Sequence, residues 1–443
     1  MKRWFLIFVS ISIGFAQAGK YEIQRNFPSR YVEKRTIVIY LPSSYENDTN
    51  RYPVLYMHDG QNLFETSKTG LKGMGSPIKW NVDTALEQLL TSKAIKPCII
   101  VGIFNTAKRI EEYSPPTNTN TLGLLDNYAH FIIEELKPWI DTHYRTDPSP
   151  QATGIMGSSM GGLASFYIQM HYPHIFGFAG VISPSFWWGN EQVLRHIDQS
   201  TNLSQIQTMY IDAGWRESDE MILPARHVYN KLHPFLGKRL WYYEDRNGTH
   251  SESSWQSRVW MPLLLFLGRE KPSLPVSILT VMEPPIVGIG DTSTITIEAT
   301  YPNGIKQTFF PSLKAERDVL INGASFTPQK ATPITLTLQS EVGSLTTNIL
   351  VLPKSRDDIT IRFIAQKPCQ LLIYRMVENS TTSETNIIID LKLQNETNIT
   401  RKRGTRFHFR LVDPQGQLIT NQQGKPYDLS VTFTRDRDYE IGF

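Results

Sequence analysis

ATGIMGSSMGGLASFY, Ala152 to Tyr167, decides how this chain folds. A short apolar run leads into glycines and serines, then into residues that favour a helix. The order predicts a strand, a tight turn and a helix, with Gly157-Ser158-Ser159-Met160-Gly161 on the turn. Side chains two positions either side of the apex would collide with the opposite limb, which accounts for Gly157 and Gly161. Gly162 lets the helix approach the sheet closely. This spacing selects Ser159 for the apex and turns Ser158 away. A packing turn with an inert serine is the plain alternative, and the strand before it and the helix after it weigh against that reading.

Outward from this turn, residues 19–269 alternate apolar runs with helical patterns. YPVLYMHDG, CIIVGIFN, FGFAGVISP and QTMYIDAG read as strands, and NVDTALEQLLTS, LLDNYAHFIIEELKPWIDTHY and WQSRVWMPLLLFLG as helices. Unbroken apolar strands separated by helices predict an α/β fold, with a mostly parallel sheet covered on both faces. The texture changes at Gly268–Ser277 (GREKPSLPVS). From there on, runs such as STITIEATY and ITLTLQS alternate with period two between turn residues, which predicts antiparallel sheets. VLPKSRDD divides this part into two β domains, 275–353, immunoglobulin-like, and 354–443. Such a tail is expected to bind a glycan, a protein or a cell surface, or to brace and space the first part. All nine tryptophans precede residue 269, which lowers the glycan reading for the tail taken alone.

MKRWFLIFVSISIGFAQAGK opens with Lys2 and Arg3, continues through an apolar stretch and ends in Ala16-Gln17-Ala18. That is the layout of a signal peptide over 1–18, and it predicts a secreted or periplasmic location. Nothing later resembles an integral membrane segment. Without the leader the formal charge of +3 becomes +1, so nucleic acid is not an expected partner. Of the two cysteines, Cys98 lies in a strand-like run and reads as a small buried hydrophobe; a bridge to Cys369 is the alternative.

A serine hydroxyl needs a base to take its proton, and the base needs an orienting acid. His171, His196 and His227 fall in helical patterns, whereas His250 sits in the loop after the last sheet strand and is the expected base. For the acid, the end of the QTMYIDAG strand and the residues after it offer Asp212, Glu217, Asp219 and Glu220. Asp212 is inside the strand, and Asp219 and Glu220 read as helix capping, so position mildly favours Glu217. Two backbone N–H groups are needed where negative charge develops, and Met160 and Gln61 are the expected donors. His58 and Asp59 read as shaping the Gln61 loop and not as a metal pair, because no third ligand stands at a recognisable spacing. No metal or organic cofactor is implied.

With these residues in place, the chain resembles the esterase D-like putative esterase family of α/β-hydrolases, in particular its siderophore-ester hydrolases and related secreted or periplasmic esterases. The resemblance covers about 21–268 and rests on YPVLYMHDGQNLF, KWNVDTAL, AKRIEEYSPP, GIMGSSMGGLASFY, VISPSFWWGN, YIDAGWRES and GTHSESSWQSRVW. It implies the α/β-hydrolase fold and carboxylic ester hydrolysis, with Ser159 as nucleophile, Glu217 as acid and His250 as base. It also implies that Arg109 lines the substrate pocket. The family includes enzymes for acetyl and feruloyl sugar esters, siderophore lactones and acyl transfer, so the substrate stays open between a small-molecule and a glycan ester. The β tail has no counterpart in the simple siderophore hydrolases. Trp187, Trp188 and Trp215 fall in loops on the catalytic edge and are candidate substrate-binding rings, whereas Trp255 reads as core. Two other functions fit the same residues: acyl transfer to a sugar or lipid acceptor, and a non-catalytic carbohydrate- or surface-binding protein on a hydrolase scaffold.

Overall fold

The computed structural model describes 19–351 apart from 72–74, 117–122, 201, 271, 273, 284–286 and 316, and from 352 to 441 the backbone of strand residues only. The expected signal peptide, 1–18, lies outside the described residues.

Eight strands form the main sheet: β1 (Lys20–Phe27), β2 (Arg35–Leu41), β3 (Val54–His58), β4 (Ile99–Ile103), β5 (Thr153–Ser159), β6 (Phe178–Pro184), β7 (Thr208–Gly214) and β8 (Leu240–Asp245). They lie in the order β1-β2-β4-β3-β5-β6-β7-β8. β2 is antiparallel to both its neighbours, and every pairing from β4 to β8 is parallel. This is the mostly parallel α/β sheet that the sequence predicts and the α/β-hydrolase arrangement that the family resemblance implies. β3 to β6 are almost wholly buried, as their unbroken apolar runs require. Residues 125–143, Met160–His171 and Asp219–Leu236 pack on one face, and Val82–Thr91 with 252–267 on the other. The stretch at 125–143 does not form the single regular helix its periodicity suggests. A π-helical turn, Phe131–Leu136, interrupts it just before Pro138, whose missing N–H removes one ordinary helical bond.

The tail is built of sheets, as its alternation predicts. β9 (Ser277–Glu283) flanks one side of β11 (Ser293–Thr300), and β12 (Lys306–Phe309) flanks the other. Ser325–Pro328 and Val319–Asn322 extend this sheet. A three-stranded sheet holds Ser312–Ala315, Ile334–Ser340 and Gly343–Ile349. The short β10 (Val287–Gly288) pairs with Val351–Leu352. Strands from Asp358 onward form two further sheets.

β12 covers the outer edge of β8. The Glu244 N–H donates to Thr308 Oγ1 at 3.0 Å, and Gln307 Nε2 donates to the Leu240 carbonyl at 3.3 Å. Ile297, Ala299, Tyr301 and Phe309 join the same buried cluster as Tyr210, Tyr243 and Leu264. An exposed edge strand invites mispairing, and here the tail occupies the edge.

This shared core makes a prediction with a clean reporter, because tryptophan fluorescence sees only the part before residue 269. Phe309, 4% exposed, should cost about 3 kcal/mol when replaced by Ala. Phe309→Ala is expected to shift the denaturant midpoint read by tryptophan emission. An unchanged midpoint would mean that the two parts unfold independently.

Candidate active site

β5 ends at Ser159 and the helix Met160–His171 starts at the next residue, leaving Ser159 at φ 57° and ψ −123°. A non-glycine residue held there stores roughly 1–3 kcal/mol of strain. The turn is possible because its neighbours lack side chains. A Cβ on Gly157 would stand 2.8 Å from the His58 ring and 2.9 Å from the Gly161 carbonyl carbon. One on Gly162 would stand 2.8 Å from the Ile182 oxygen. Ser158 is buried, turned away as expected.

Ser159, His250 and Glu217 form one hydrogen-bonded row. Ser159 Oγ lies 2.9 Å from His250 Nε2, and His250 Nδ1 lies 3.1 Å from Glu217 Oε2. Ser159 Oγ also sits 3.3 Å from Ser185 Oγ. The His250 side chain is 34% exposed and that of Glu217 is fully buried, so the row runs from solvent inward. His171, His196 and His227 are engaged elsewhere, with the Tyr167 carbonyl, the Tyr167 ring and Glu191 respectively. Asp219 and Glu220 begin a helix, as their capping pattern predicts.

The sequence reading missed what holds Glu217 in place. Its Oε1 accepts the Gly214 N–H at 2.9 Å and the Ser183 hydroxyl at 2.6 Å. Ser183 Oγ in turn accepts from Arg258 Nη2 at 2.6 Å and from the Trp255 indole N–H at 3.1 Å. With two donors aimed at its oxygen, the Ser183 proton points to Glu217. Arg258 is itself fixed by Asp212, with Nε to Oδ2 at 2.9 Å and Nη2 to Oδ1 at 3.1 Å. Burial opposes the charge of Glu217, but the bonds to His250, the Arg258 charge and the Ser183 hydroxyl hold its carboxyl below the ordinary value. Trp255 is core, as expected, and its ring also meets His250 edge-on at 5.1 Å.

The two expected N–H donors come from adjoining segments. Met160 opens its helix, where the first N–H groups have no intrahelical partner. Gln61 lies in the single turn Gly60–Asn62 after β3. A Cβ on Gly60 would fall 2.6 Å from the Gly102 backbone, so the loop hugs β4. Lys79 Nζ holds the Gln61 carbonyl at 2.7 Å, and the Asn105 N–H holds its side chain at 3.2 Å.

Arg109 forms a two-pronged pair with Asp59, both contacts at 2.8 Å, and its side chain stays 27% exposed. Asp59 is thus a brace for Arg109, and no cluster suited to a metal ion occurs among the described residues. Trp187, at 42%, is the most exposed of the three candidate rings, and Trp188 stands beside it at 5.9 Å. The Trp215 indole N–H is committed to Glu244 at 2.8 Å, and the Arg246 guanidinium lies over its ring at 5.8 Å, so at most the other face of the ring is open to a ligand. Beneath the turn, burial brings the pKa of His58 down to about 4, so it is neutral at pH 7. Cys98 is buried and free.

Such a row can pass a proton from a hydroxyl to an imidazole and stabilise the imidazolium against a buried carboxylate. The model of a family described as putative esterase matches 29–260. The uncharacterized protein YbbA of Bacillus subtilis is 28% identical over 204 residues, 44% of this chain and 74% of that protein. The ferri-bacillibactin esterase BesA of Bacillus subtilis is 28% identical over 207 residues, 41% of this chain and 66% of its own length. The endo-1,4-beta-xylanase/feruloyl esterase of Xylanibacter ruminicola is 28% identical over 158 residues, 34% of this chain and 19% of that one.

Two predictions follow from the geometry. Ser183→Ala removes one bond to Glu217, leaves the Trp255 N–H without its acceptor and takes from Arg258 Nη2 one of its two, the bond to Asp212 remaining. It is expected to lower kcat on a small ester ~10- to 100-fold with KM little changed; an unaltered kcat would show that Glu217 needs no such support. His58 concerns stability. Its folded pKa lies below the unfolded 6.5, so as pH falls from 6.5 to about 4 the unfolded chain takes up a proton that the folded one refuses. Urea denaturation should therefore lose on the order of 3 kcal/mol across that window through His58. His58→Gln should flatten the loss, and an equally steep loss in the variant would refute the assignment.

Proposed function

Since the chain belongs to the putative esterase family, whose members are carboxylic ester hydrolases, we propose that its catalysis is that of a serine esterase in which Ser159 is the nucleophile, His250 the base and Glu217 the orienting acid. The unbroken row of hydrogen bonds from Ser159 through His250 to Glu217, at a strained strand-to-helix turn, carries the reading. His250 Nε2 takes the hydroxyl proton as Ser159 Oγ attacks the carbonyl carbon, and the Glu217 carboxylate balances the imidazolium. The N–H groups of Met160 and Gln61 receive the oxyanion. His250 then hands its proton to the leaving alkoxide, which departs as the alcohol and leaves the acyl group on Ser159. A water that loses its proton to His250 attacks that ester, and the acid leaves with Ser159 restored.

The substrate proposed is a small-molecule or glycan ester with an aromatic or sugar part. Trp187, Trp188 and the Trp215 ring offer a wall for it, and Arg109 a partly exposed cation for an acidic or phenolic group. Names of two relatives, one a ferri-bacillibactin esterase and the other in part a feruloyl esterase, support this breadth. The leader-like sequence of 1–18 supports secretion or a periplasmic location, and no helix among the described residues is long and apolar enough to cross a membrane. The proposed domain plan keeps 19–269 as the catalytic unit, with 275–353 and 354–443 as two β domains.

Hydrolysis of p-nitrophenyl esters tests the core of the proposal. Ser159→Ala is expected to lower kcat at least ~10³-fold with an unchanged melting temperature. The wild-type chain, and not the variant, should be labelled by a fluorophosphonate. Retained hydrolysis in the variant would sink the assignment of Ser159.

A further inference from the structure

A cavity of about 490 Å3 opens where the first β domain meets the esterase sheet. It is not the site of Ser159. Thr208, on its wall, is the first residue of β7, and the registers of β5, β6 and β7 set it level with Gly154. Ser159 lies five residues further along β5, about 16 Å toward the opposite end of the sheet. The volume falls within the ~300–1,000 Å3 of small-molecule sites.

Its lining is mixed in a specific way. Trp241, near the start of β8, and Tyr301, just after β11, meet at 5.2 Å and 59° and form an aromatic wall supplied from both sides of the junction. Around them stand the amide of Gln207, the hydroxyl of Thr208, the ammonium of Lys238 and the carboxylate of Glu341, with Leu265, Leu274, Phe309 and Val342 among the apolar residues that complete the wall. The side chains of Gln207, Thr208 and Lys238 and the Trp241 indole N–H make no hydrogen bond among the described residues. Glu341 keeps one oxygen on His233 at 3.0 Å. Arg239 also borders the space, but its guanidinium is spent on the main-chain carbonyls of Ser204, Ile206, Phe235 and Leu236.

Three ligand chemistries can be weighed against this wall. A lipid chain would strand the polar groups without partners, at a cost for each. A strong anion would gain Lys238 but face the Glu341 carboxylate. A neutral polyhydroxylated ring satisfies both kinds of surface, since its hydroxyls both donate and accept and its axial C–H face lies flat on an indole. We propose that this cleft binds a sugar unit of a glycan, with Trp241 as the stacking platform and Gln207 and Thr208 as hydrogen-bonding partners. The proposal stands whether or not Ser159 is the nucleophile. It also answers the shortage of tryptophan in the tail, because the esterase part supplies the platform and the tail closes over it.

The test uses the full chain and unesterified probes, so that turnover does not intrude. Isothermal titration with xylohexaose, cellohexaose, mannohexaose and chitohexaose should show saturable binding of at least one. The double variant Gln207→Ala/Thr208→Ala is expected to weaken that binding ~10-fold while leaving p-nitrophenyl ester hydrolysis unchanged. Trp241→Ala should abolish binding and Trp241→Phe should keep part of it, with circular dichroism confirming that each variant is folded. Absence of binding by all four sugars, or equal affinity in the double variant, would overturn the proposal.

Discussion

Arg258 and Asp212 are buried against each other between the last helices and β7, and much of the site hangs on that pair. Removing two charges from water is expensive, and their attraction repays it only when geometry is good and the remaining lone pairs and protons find partners. Here they do. Asp212 also accepts the Ser183 N–H at 3.0 Å and the Tyr210 hydroxyl at 3.0 Å, while Arg258 Nη2 donates in addition to Ser183 Oγ and Nη1 to Ser254 Oγ. The pair therefore fixes the end of β6, the middle of β7 and the helix 252–258 relative to one another. Those are the elements beside Glu217 and His250.

The order of the protons follows from this fixing. Because Arg258 and Trp255 both donate to Ser183, that hydroxyl has one direction left, toward Glu217 Oε1. Glu217 Oε2 is then the atom that faces His250 Nδ1. If Nδ1 carries its proton toward Glu217, Nε2 is left as the acceptor beside Ser159. A chain of directed bonds thus runs from a buried salt bridge to the edge of the solvent. The strain held at Ser159 is supported from the other side by the close fit of Gly157 and Gly161 against His58.

Part of this was legible in the sequence, for physical reasons. Sterics at a strand-to-helix turn demand glycine at fixed offsets, so Ser159 and the direction of Ser158 could be read directly. Apolar runs of the right length gave the parallel sheet, and a histidine in the loop after the last strand had few competitors. Glu217 was harder, because four acids lie near one strand end and only side-chain direction separates them; position favoured it mildly and the family resemblance added to that. Ser183 left no trace, since a serine at the end of an apolar strand is unremarkable until its φ of 38° and its partners are seen. Asp212 and Arg258 did leave one: a carboxylate inside a doubly covered strand and a guanidinium between Trp255 and Val259 each imply a buried partner. The π-helical turn before Pro138 was concealed by a periodicity that suits a regular helix equally well.

The tail tests a different limit of reading along a chain. Texture separates alternating strands from the α/β part, and bracing is one of the roles which that contrast leaves open. Packing joins the two parts. β12 occupies the edge of β8, and Glu283 of β9 meets Arg226, which binds Glu244, which in turn holds the Trp215 indole. Trp215 is two residues from Glu217, so one series of contacts passes from the tail into the loop that carries Glu217. A cleft between two such parts has a fixed shape only if the parts are fixed to each other. The shared core around Phe309 and Tyr243 provides that rigidity. It gives the wall of Trp241 and Tyr301 a constant geometry that a tethered appendage would not provide.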